Sequence, residues 1–420
     1  MKKISVIIII LILCSCLLTF KFYNKNNIEE VLSRNTNHKD ILGMMIETDA
    51  GSGKYEMTTM SSWPTDGYIF NTKFSKCENG GKLVWDDTNK KVVFEGNNID
   101  KCYVYFDVYV PPKNISEVCS DGDTLSSCIV SLATRSTPSI TGIYYHDSTL
   151  TNGAGDNSYR YAGNFYNVYN FVIFGELNKT FPSDNLYRII GVFNNKVKLI
   201  KYDYAISLSL GDDDYSDNQY LYSEQTSYIG DLTRIDRFYW DNVNEYNTWS
   251  KSSLNTTSLN NNFISNIGYN WESKISDTTW KVGGNLYKDL VRYSVNTGFQ
   301  NEIVNPITKN SSDNAIEFNA KVGLVYASDY GYAADPSFWS GTLYNYANAK
   351  SNNWMYMGLD EWTITRAADY ANSVLYINAK GGVDQKGPGA DIAVRPVFYL
   401  VDSVTYKSGI GTAADPIIIN

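Results

Sequence analysis

The sequence predicts a mainly β protein with an N-terminal transmembrane helix, a small disulfide-stapled β-sandwich and an α+β C-terminal domain. Strands are predicted because β-branched and aromatic residues gather in short runs that Gly, Asn and Pro separate. The clearest segment is 362–400, which opens on Trp-Thr-Ile-Thr-Arg, passes several glycines and closes on Val-Arg-Pro-Val-Phe-Tyr-Leu. The membrane helix is predicted from an apolar run at 4–20, and the disulfides from four cysteines that follow it.

The composition limits the number of domains and the kinds of partner that the protein can have. A chain of 420 residues, 43% of them hydrophobic, can build two or three domains with sizeable cores. The net charge of −9 argues against a nucleic-acid partner, because phosphate contacts require clustered Lys and Arg, which the sequence lacks. The 34 tyrosines are compatible with stacking on sugars or proteins, but tyrosine also covers half-buried sheet faces.

Residues 1–23 are predicted to be a transmembrane anchor. Lys2 and Lys3 precede the apolar run 4–20, which as a helix spans roughly 25 Å, enough to cross a bilayer. A small-residue cleavage site does not follow the run, which favours a retained anchor. A lipoprotein signal at Cys14 and Cys16, or cleavage to a secreted protein, are the alternatives. All three place the bulk of the chain outside the cell membrane.

The remainder divides into a stalk at 24–42, a small β domain at 43–110, a connector at 111–139 and a large domain at 140–420. We expect the small domain to be an antiparallel sandwich. Its roughly 65 residues give a marginal core, so disulfides would stabilise it.

The cysteines outside the membrane form an even set in an oxidising compartment: Cys77, Cys102, Cys119 and Cys128. Four cysteines allow three pairings. We favour Cys77–Cys102 and Cys119–Cys128, because each pair lies within one local segment. Zinc ligation is disfavoured, since the spacings are not Cys-x-x-Cys and no His lies among them.

In the large domain, 186–193 and 196–202 are predicted to form a hairpin, because Asn194 and Asn195 tolerate the positive φ of a two-residue turn. Lys196 and Lys198 alternate with apolar residues, which predicts a solvent-facing side. Helices are expected at 249–263 and 285–293. The Tyr-, Asn- and Gly-rich segment 328–353 is predicted as a long loop.

Several segments resemble, in order, the C-terminal domain of a group of uncharacterised envelope proteins of low-GC bacteria. The segments are 249–255 with Leu259 and Phe263, 322–326, 361–366 and 394–400, and the resemblance extends upstream through 184–193, 157–161 and 63–68. The resemblance implies a C-type-lectin-like fold related to formylglycine-generating enzyme and other sulfatase-modifying factors. Those enzymes use a cysteine pair in this domain to bind copper. Because this sequence has no cysteine after Cys128, the resemblance does not carry that activity, and no enzyme is predicted.

Three further groups of residues bear on catalysis or metal binding. His146 lacks a Gly-x-Ser-x-Gly partner, so we expect a structural residue at a strand end. Asp360 and Glu361 are the neatest carboxylate pair, but neighbours on a strand face opposite sides, and solvated turn acids are favoured. The acidic run 212–217 suggests calcium, yet it lacks the glycine and the closing glutamate of an EF-hand loop. A solvated loop is favoured there.

Binding is the predicted role. Trp339, Tyr344, Tyr346 and Tyr356 are the candidate ligand-binding residues, as a stacking platform for sugar rings or a protein partner. Trp354 and Trp362 are expected in the core, and Arg366 and Arg395 in structural ion pairs or hydrogen bonds.

The predicted function is non-catalytic adhesion at the cell surface, with a glycan, a wall polymer or a surface protein as partner. A structural envelope component without a small ligand is the alternative, and an extracellular hydrolase built on carboxylates is the third hypothesis.

Overall fold

The computed structural model describes residues 41–58, 62–95, 101–111, 113–176, 185–224, 226–243, 246–292, 294–308 and 315–420. The chain separates into two units, Met1–Pro111 and Pro112–Asn420, which are described in turn.

The strands of the first unit are β1 (Ile41–Glu47), β2 (Tyr55–Met57), β3 (Tyr68–Phe70), β4 (Lys76–Cys77), β5 (Lys82–Asp86), β6 (Lys91–Glu95) and β7 (Cys102–Val108). Those of the second unit are β8 (Ile143–His146), β9 (Ser158–Tyr161), β10 (Phe171–Ile173), β11 (Leu186–Phe193), β12 (Lys196–Lys201), β13 (Tyr215–Tyr220), β14 (Ile235–Tyr239), β15 (Thr278–Lys281), β16 (Gly284–Asn285), β17 (Glu317–Ala320), β18 (Val322–Gly323), β19 (Glu361–Ala367), β20 (Val374–Ile377), β21 (Val383–Lys386), β22 (Asp391–Ile392), β23 (Val397–Tyr399), β24 (Tyr406–Ser408) and β25 (Ile418–Ile419).

The α-helices are α1 (Leu125–Arg135), α2 (Pro138–Thr141), α3 (Ser207–Leu210), α4 (Ile264–Ile267), α5 (Tyr269–Glu272), α6 (Tyr287–Leu290), α7 (Val295–Phe299) and α8 (Ala327–Tyr332). Segments of 3₁₀-helix cover Ile115–Glu117, Tyr222–Glu224, Trp249–Lys251, Pro336–Phe338 and Leu343–Asn352. Two segments, Leu254–Phe263 and Gln300–Val304, have π-helical geometry.

The predicted fold class is wrong. The described chain is mostly β with few, short helices, and in it no helix is both long and apolar enough to cross a membrane. The α+β description of the C-terminal domain therefore fails. The predicted membrane span at 4–20 and most of the predicted stalk lie outside the described residues.

The first unit contains a five-stranded sheet in the order β2-β1-β7-β3, with β4 paired to β7, and the separate hairpin β5-β6. The sheet is mixed rather than antiparallel as predicted, because β1 runs parallel to β7. Phe70, Trp85 and Phe106 pack the hairpin against the sheet through ring contacts of 5.7 to 6.3 Å. The disulfide Cys77–Cys102 joins β4 to β7, which confirms the predicted pairing.

The second unit is built around a seven-stranded sheet in the order β18-β23-β12-β11-β9-β8, with β10 paired to β11. The hairpin β11-β12 is confirmed, and Asn194 and Asn195 take φ of 47° and 64° in its turn. Its predicted wet face is wrong: β12 lies between β11 and β23, and Lys198 is 1% exposed. Smaller sheets add β13-β14-β22 and β16-β19-β20-β21.

Residues 111–139, predicted as a connector, contribute to the core of the second unit. Helix α1 begins after Thr124, and its apolar side buries Leu125, Ile129 and Leu132 in the cluster that includes strands β8 to β12. The disulfide Cys119–Cys128 ties this helix to the preceding segment, as predicted.

The remaining predictions of secondary structure are confirmed only in part. Segment 249–263 is helical but mainly π-helical, and only Tyr287–Leu290 of the predicted helix 285–293 is α-helical. Segment 328–353 is not a long loop, because α8 and two 3₁₀ segments occupy most of it.

Candidate functional site

Three of the four predicted ligand-binding residues lie in the core. Trp339 donates its indole N–H to the carbonyl of Ala334 at 2.9 Å. The hydroxyls of Tyr346 and Tyr356 donate to backbone carbonyls at 2.8 and 2.6 Å. Their exposed fractions are 0%, 2% and 6%, whereas Tyr344 is 40% exposed. The structure therefore does not bring the four together as one exposed platform. Trp354 and Trp362 are buried, as predicted.

Tyr344 belongs instead to a group of partly exposed tyrosines. We define the tyrosine surface as Tyr287, Tyr344, Tyr370 and Tyr376 with the charged side chains of Asp384 and Lys386. The rings of Tyr287 and Tyr344 meet edge to face, with their centres 6.4 Å apart. Tyr370 is 50% exposed and close enough to influence the ionisation of Tyr287.

Three short elements bring these residues together. Helix α6 begins at Tyr287, whose backbone N–H donates to Asp369 at 2.8 Å. The hairpin β20-β21 places Tyr376 directly opposite Asp384. The 3₁₀ segment with Tyr344 approaches this hairpin at Gly382, where an added Cβ would lie 2.4 Å from the Tyr344 carbonyl oxygen. Glycine is thus required for the close approach.

Hydrogen bonds fix the polar groups of the surface. The Tyr287 hydroxyl donates to Asp384 at 3.0 Å. Burial, followed by this bond to Asp384, raises the pKa of Tyr287 to about 12, so its hydroxyl stays protonated at neutral pH. Lys386 lies 4.7 Å from the centre of the Tyr376 ring and pairs with Asp360 at 2.8 Å. The surface therefore offers aromatic faces beside hydroxyl, carboxylate and ammonium groups.

The sequence does not predict most of the tyrosine surface, because its members are far apart in the chain. They lie at positions 287, 344, 370, 376, 384 and 386. A local signal exists in β20, where Tyr376 stands as a polar-tipped ring in an otherwise apolar strand. That signal does not reveal that α6 packs beside the hairpin.

Two concave features lie elsewhere in the second unit. A cavity of about 240 Å³ is lined by Lys201, Asp203, Asn266 and apolar side chains. Its polar atoms are largely occupied: Asp203 accepts from Tyr228, and Asn266 donates to the carbonyls of Leu208 and Ser209. A more open groove of about 640 Å³ is lined by Tyr144, Tyr145 and residues from 147 to 152.

A second concentration of charge is buried beneath aromatic rings. We define the buried charge cluster as Lys198, Asp329, Arg160 and Asp156. Lys198 Nζ lies 2.5 Å from Asp329 Oδ2, and Arg160 donates to Asp329 Oδ1 at 3.2 Å and to Asp156 at 2.6 Å. Burial opposes the charge on Lys198, but the carboxylate of Asp329 outweighs it and raises the pKa of Lys198.

Glu302 lies next to this cluster. It is 1% exposed, and its carboxylate oxygens accept hydrogen bonds from Asn285, Thr365 and the backbone N–H of Ser328 at 2.8 to 3.1 Å. Burial raises the pKa of Glu302 to about 7, and the negative charge of Asp329 adds to the shift.

His146 ends strand β8, as predicted, and it is buried. Its Nδ1 accepts the N–H of Ala154 at 3.0 Å, and its ring packs on Tyr332 and Trp339. Burial, helped by the positive charge of Arg160, lowers the pKa of His146 to about 3. The imidazole is therefore neutral at physiological pH and occupied in packing.

The acids and arginines singled out from the sequence hold strands together. Glu361, predicted as a solvated turn acid, is instead buried and accepts two hydrogen bonds from Arg395, at 2.9 and 2.8 Å. The structural ion pair predicted for Arg395 is thus confirmed. Asp360 forms an ion pair with Lys386 rather than acting together with Glu361. Arg366 donates a hydrogen bond to the carbonyl of Ala315 at 2.9 Å.

The positions of the side chains show which residues could hold a metal ion. Within the part of the chain that the structure describes, one group of His, Cys, Asp or Glu has ligand atoms close enough to hold an ion: Cys119, Asp123 and Cys128. Its cysteines form a disulfide, so it lacks the thiolates a metal would need. The carboxylates of 212–217, considered for calcium, form no such group.

Comparison with protein-family models, curated proteins and solved structures gave no match. The resemblance to lectin-like envelope proteins therefore stays a prediction, and no proposal for this chain depends on it.

Proposed function

We propose that this protein is a non-catalytic binding protein of the cell surface and that the tyrosine surface holds its ligand. The observation that carries the proposal is the contact of the Tyr287 and Tyr344 rings beside Asp384, with the exposed Tyr370 nearby. Tyrosine rings stack on the apolar faces of sugar rings, and a neighbouring carboxylate accepts hydrogen bonds from sugar hydroxyls. This combination suits a glycan.

The charges narrow the class of glycan. Lys386 is already paired with Asp360, and Asp384, which accepts from the Tyr287 hydroxyl and the backbone N–H of Gln385, adds a further negative charge. A polyanionic wall polymer would meet like charge at this surface. We therefore propose a neutral glycan rather than a phosphate-rich polymer.

The cysteine chemistry supports the proposed location. Two disulfides, Cys77–Cys102 and Cys119–Cys128, are typical of an oxidising environment. They support a place outside the cytoplasm.

The test is binding of the full oxidised chain to an array of neutral glycans, anionic wall polymers and surface proteins. We expect saturable binding to neutral glycans that Tyr344→Ala weakens about tenfold, the effect of losing about 1.4 kcal/mol of stacking. Tyr269→Ala is the matched control, because Tyr269 is 81% exposed on α5 and lies outside the tyrosine surface.

Other outcomes overturn the proposal in distinct ways. Binding that both tyrosine variants leave unchanged would locate the ligand elsewhere, for which the open groove at Tyr144 and Tyr145 is the next site to mutate. Self-association without glycan binding would favour a structural envelope component.

A further inference from the structure

Lys198 and Asp329 are positioned for a reaction as well as for an ion pair. Lys198 lies on the central strand β12 and Asp329 on α8, and their side chains are 1% and 4% exposed. The nucleophilic Nζ lies 2.5 Å from Oδ2, which brings it next to the carboxyl carbon. We propose that these two side chains condense into an intramolecular amide, an isopeptide cross-link between β12 and α8.

The carboxylate of Asp329 and the surrounding ring faces make the ion pair the resting state, whereas the exclusion of water lowers the free energy needed to form the uncharged reactants. Four aromatic rings enclose Lys198 Nζ at distances between 4.6 and 5.6 Å: Phe193, Trp280, Tyr326 and Tyr399. Removing water raises the free energy of an ammonium and a carboxylate relative to an amine and a carboxylic acid. Transfer of one proton from Nζ to Oδ2, along the existing hydrogen bond, produces the reactive neutral pair. The ion pair is the starting state, and the neutral pair is the species that reacts.

Arg160 is placed to assist at the other oxygen. Its guanidinium donates to Asp329 Oδ1 at 3.2 Å and is itself held by Asp156 at 2.6 Å. When Nζ attacks the carboxyl carbon, negative charge develops on Oδ1, where this donor stabilises it. The carboxyl oxygen beside the lysine is thus the one that leaves, and the oxygen beside the arginine is the one that stays.

The fixed geometry replaces an activating co-reactant. The bond that forms joins Lys198 Nζ to Asp329 Cγ, and the bond that breaks joins Cγ to Oδ2. The second proton of the amine passes to Oδ2, which departs as water, so that an ammonium and a carboxylate become one amide and one water molecule. No oxidant or reductant takes part. Side chains held in this way behave as if present at very high concentration, which is why such a condensation can proceed inside a fold.

The cross-link would tie together residues 131 positions apart in the chain. Because the side chains belong to a central strand and a buried helix, local fraying would not separate these elements. This would suit a protein that carries load or meets proteases outside the cell. The proposal does not depend on the tyrosine surface, so the two can fail independently.

Peptide mapping of the folded full chain tests the proposal. Trypsin cleaves after Lys198 only if its side chain is free. We expect a branched peptide that joins 197–201 to 322–350, lighter than its two parts by the mass of one water molecule. The cross-linked form should account for most of the folded protein. Recovery of 197–198, 199–201 and 322–350 as separate linear peptides would overturn the proposal and leave an ion pair.

Lys198→Arg is the matched control. Arginine keeps a positive charge for Asp329 but does not form this amide, so the branched peptide and the loss of water should both vanish while the chain still folds. Loss of water that persists in this variant would place the modification elsewhere and also overturn the proposal. Tryptophan fluorescence reports whether each sample is folded, since Trp240, Trp280 and Trp339 are fully buried.

Discussion

The second unit uses the same three residue types, Lys, Asp and Tyr, in two places that differ in burial. In the buried charge cluster, Lys198 lies 4.6 Å from the Tyr326 ring centre and 2.5 Å from Asp329. In the tyrosine surface, Lys386 lies 4.7 Å from the Tyr376 ring centre and 2.8 Å from Asp360. The local geometry is nearly the same.

Exposure separates the two sites. The side chains of Lys198 and Asp329 are 1% and 4% exposed, and those of Lys386 and Asp360 are 30% and 24% exposed. Leaving a buried charge unpaired costs free energy, so separating Lys198 from Asp329 would destabilise the folded state. Water already solvates part of the second pair, so its groups remain available to a ligand at little cost. Burial, rather than residue type, thus separates a pair that the fold needs from a pair that solvent and a ligand can reach.

The largest expected effect comes from breaking the buried pair. Asp329→Ala removes the carboxylate that Lys198 and Arg160 share, together with any amide formed through it, and we expect a loss of at least about 3 kcal/mol in the free energy of unfolding. Urea denaturation of the full chain, followed by tryptophan fluorescence, measures it. A loss below about 1 kcal/mol would show that the cluster does not hold the core together.

The second-largest expected effect is a pH dependence of folding stability, which Glu302 causes. Its folded pKa of about 7 lies above the value of 4.5 that is usual for a glutamic acid, so the folded state binds the proton more tightly than the unfolded state does. The stabilisation that Glu302 contributes to the folded state is therefore fully present below about pH 4.5 and is lost as the pH rises through 7. Stability should fall by about 3 kcal/mol across that window.

Glu302→Gln isolates this contribution. Glutamine stays neutral and has nearly the same shape, and its side-chain oxygen can accept the N–H of Ser328, while its amide replaces the oxygen that accepts from Asn285 and Thr365. The comparison therefore uses the change in stability between two pH values, which a constant loss of hydrogen bonding does not alter. Urea denaturation at about pH 5 and pH 8 should show a smaller loss of stability in this variant than in the wild type. Identical pH dependence of the two proteins would contradict the assignment.

The smallest expected effect on stability comes from the exposed pair. Lys386→Met removes the charge but keeps an apolar stem over Tyr376, and we expect a change of about 1 kcal/mol or less. The same urea titration measures it alongside Asp329→Ala. A loss as large as that of the buried variant would erase the distinction between the two sites.

The sequence predicts local features well, because local chemistry determines them. The turn at Asn194 and Asn195, the two disulfides and the burial of Trp354 and Trp362 all follow from spacing or residue type. The structural pairing of Arg395 also holds.

What the sequence does not predict depends on which elements pack together. Lys198 alternates with apolar residues, and only the coverage of both faces of β12 shows that it is buried. Tyr344 and Tyr346 are two residues apart in one segment, yet one is 40% exposed and the other 2%. The tyrosine surface likewise exists because α6 and β20-β21 meet, which no local pattern encodes.

The most direct test of the account is a calorimetric titration of the full oxidised chain with the neutral glycan that the array selects, repeated with the double variant Tyr344→Ala, Tyr370→Ala. Both residues are at least 40% exposed, so the variant should keep wild-type stability to within about 0.5 kcal/mol. We predict that its affinity falls more than about tenfold while the Tyr269→Ala control binds as the wild type does. Equal affinity in all three proteins would contradict the claim that the tyrosine surface is the binding site.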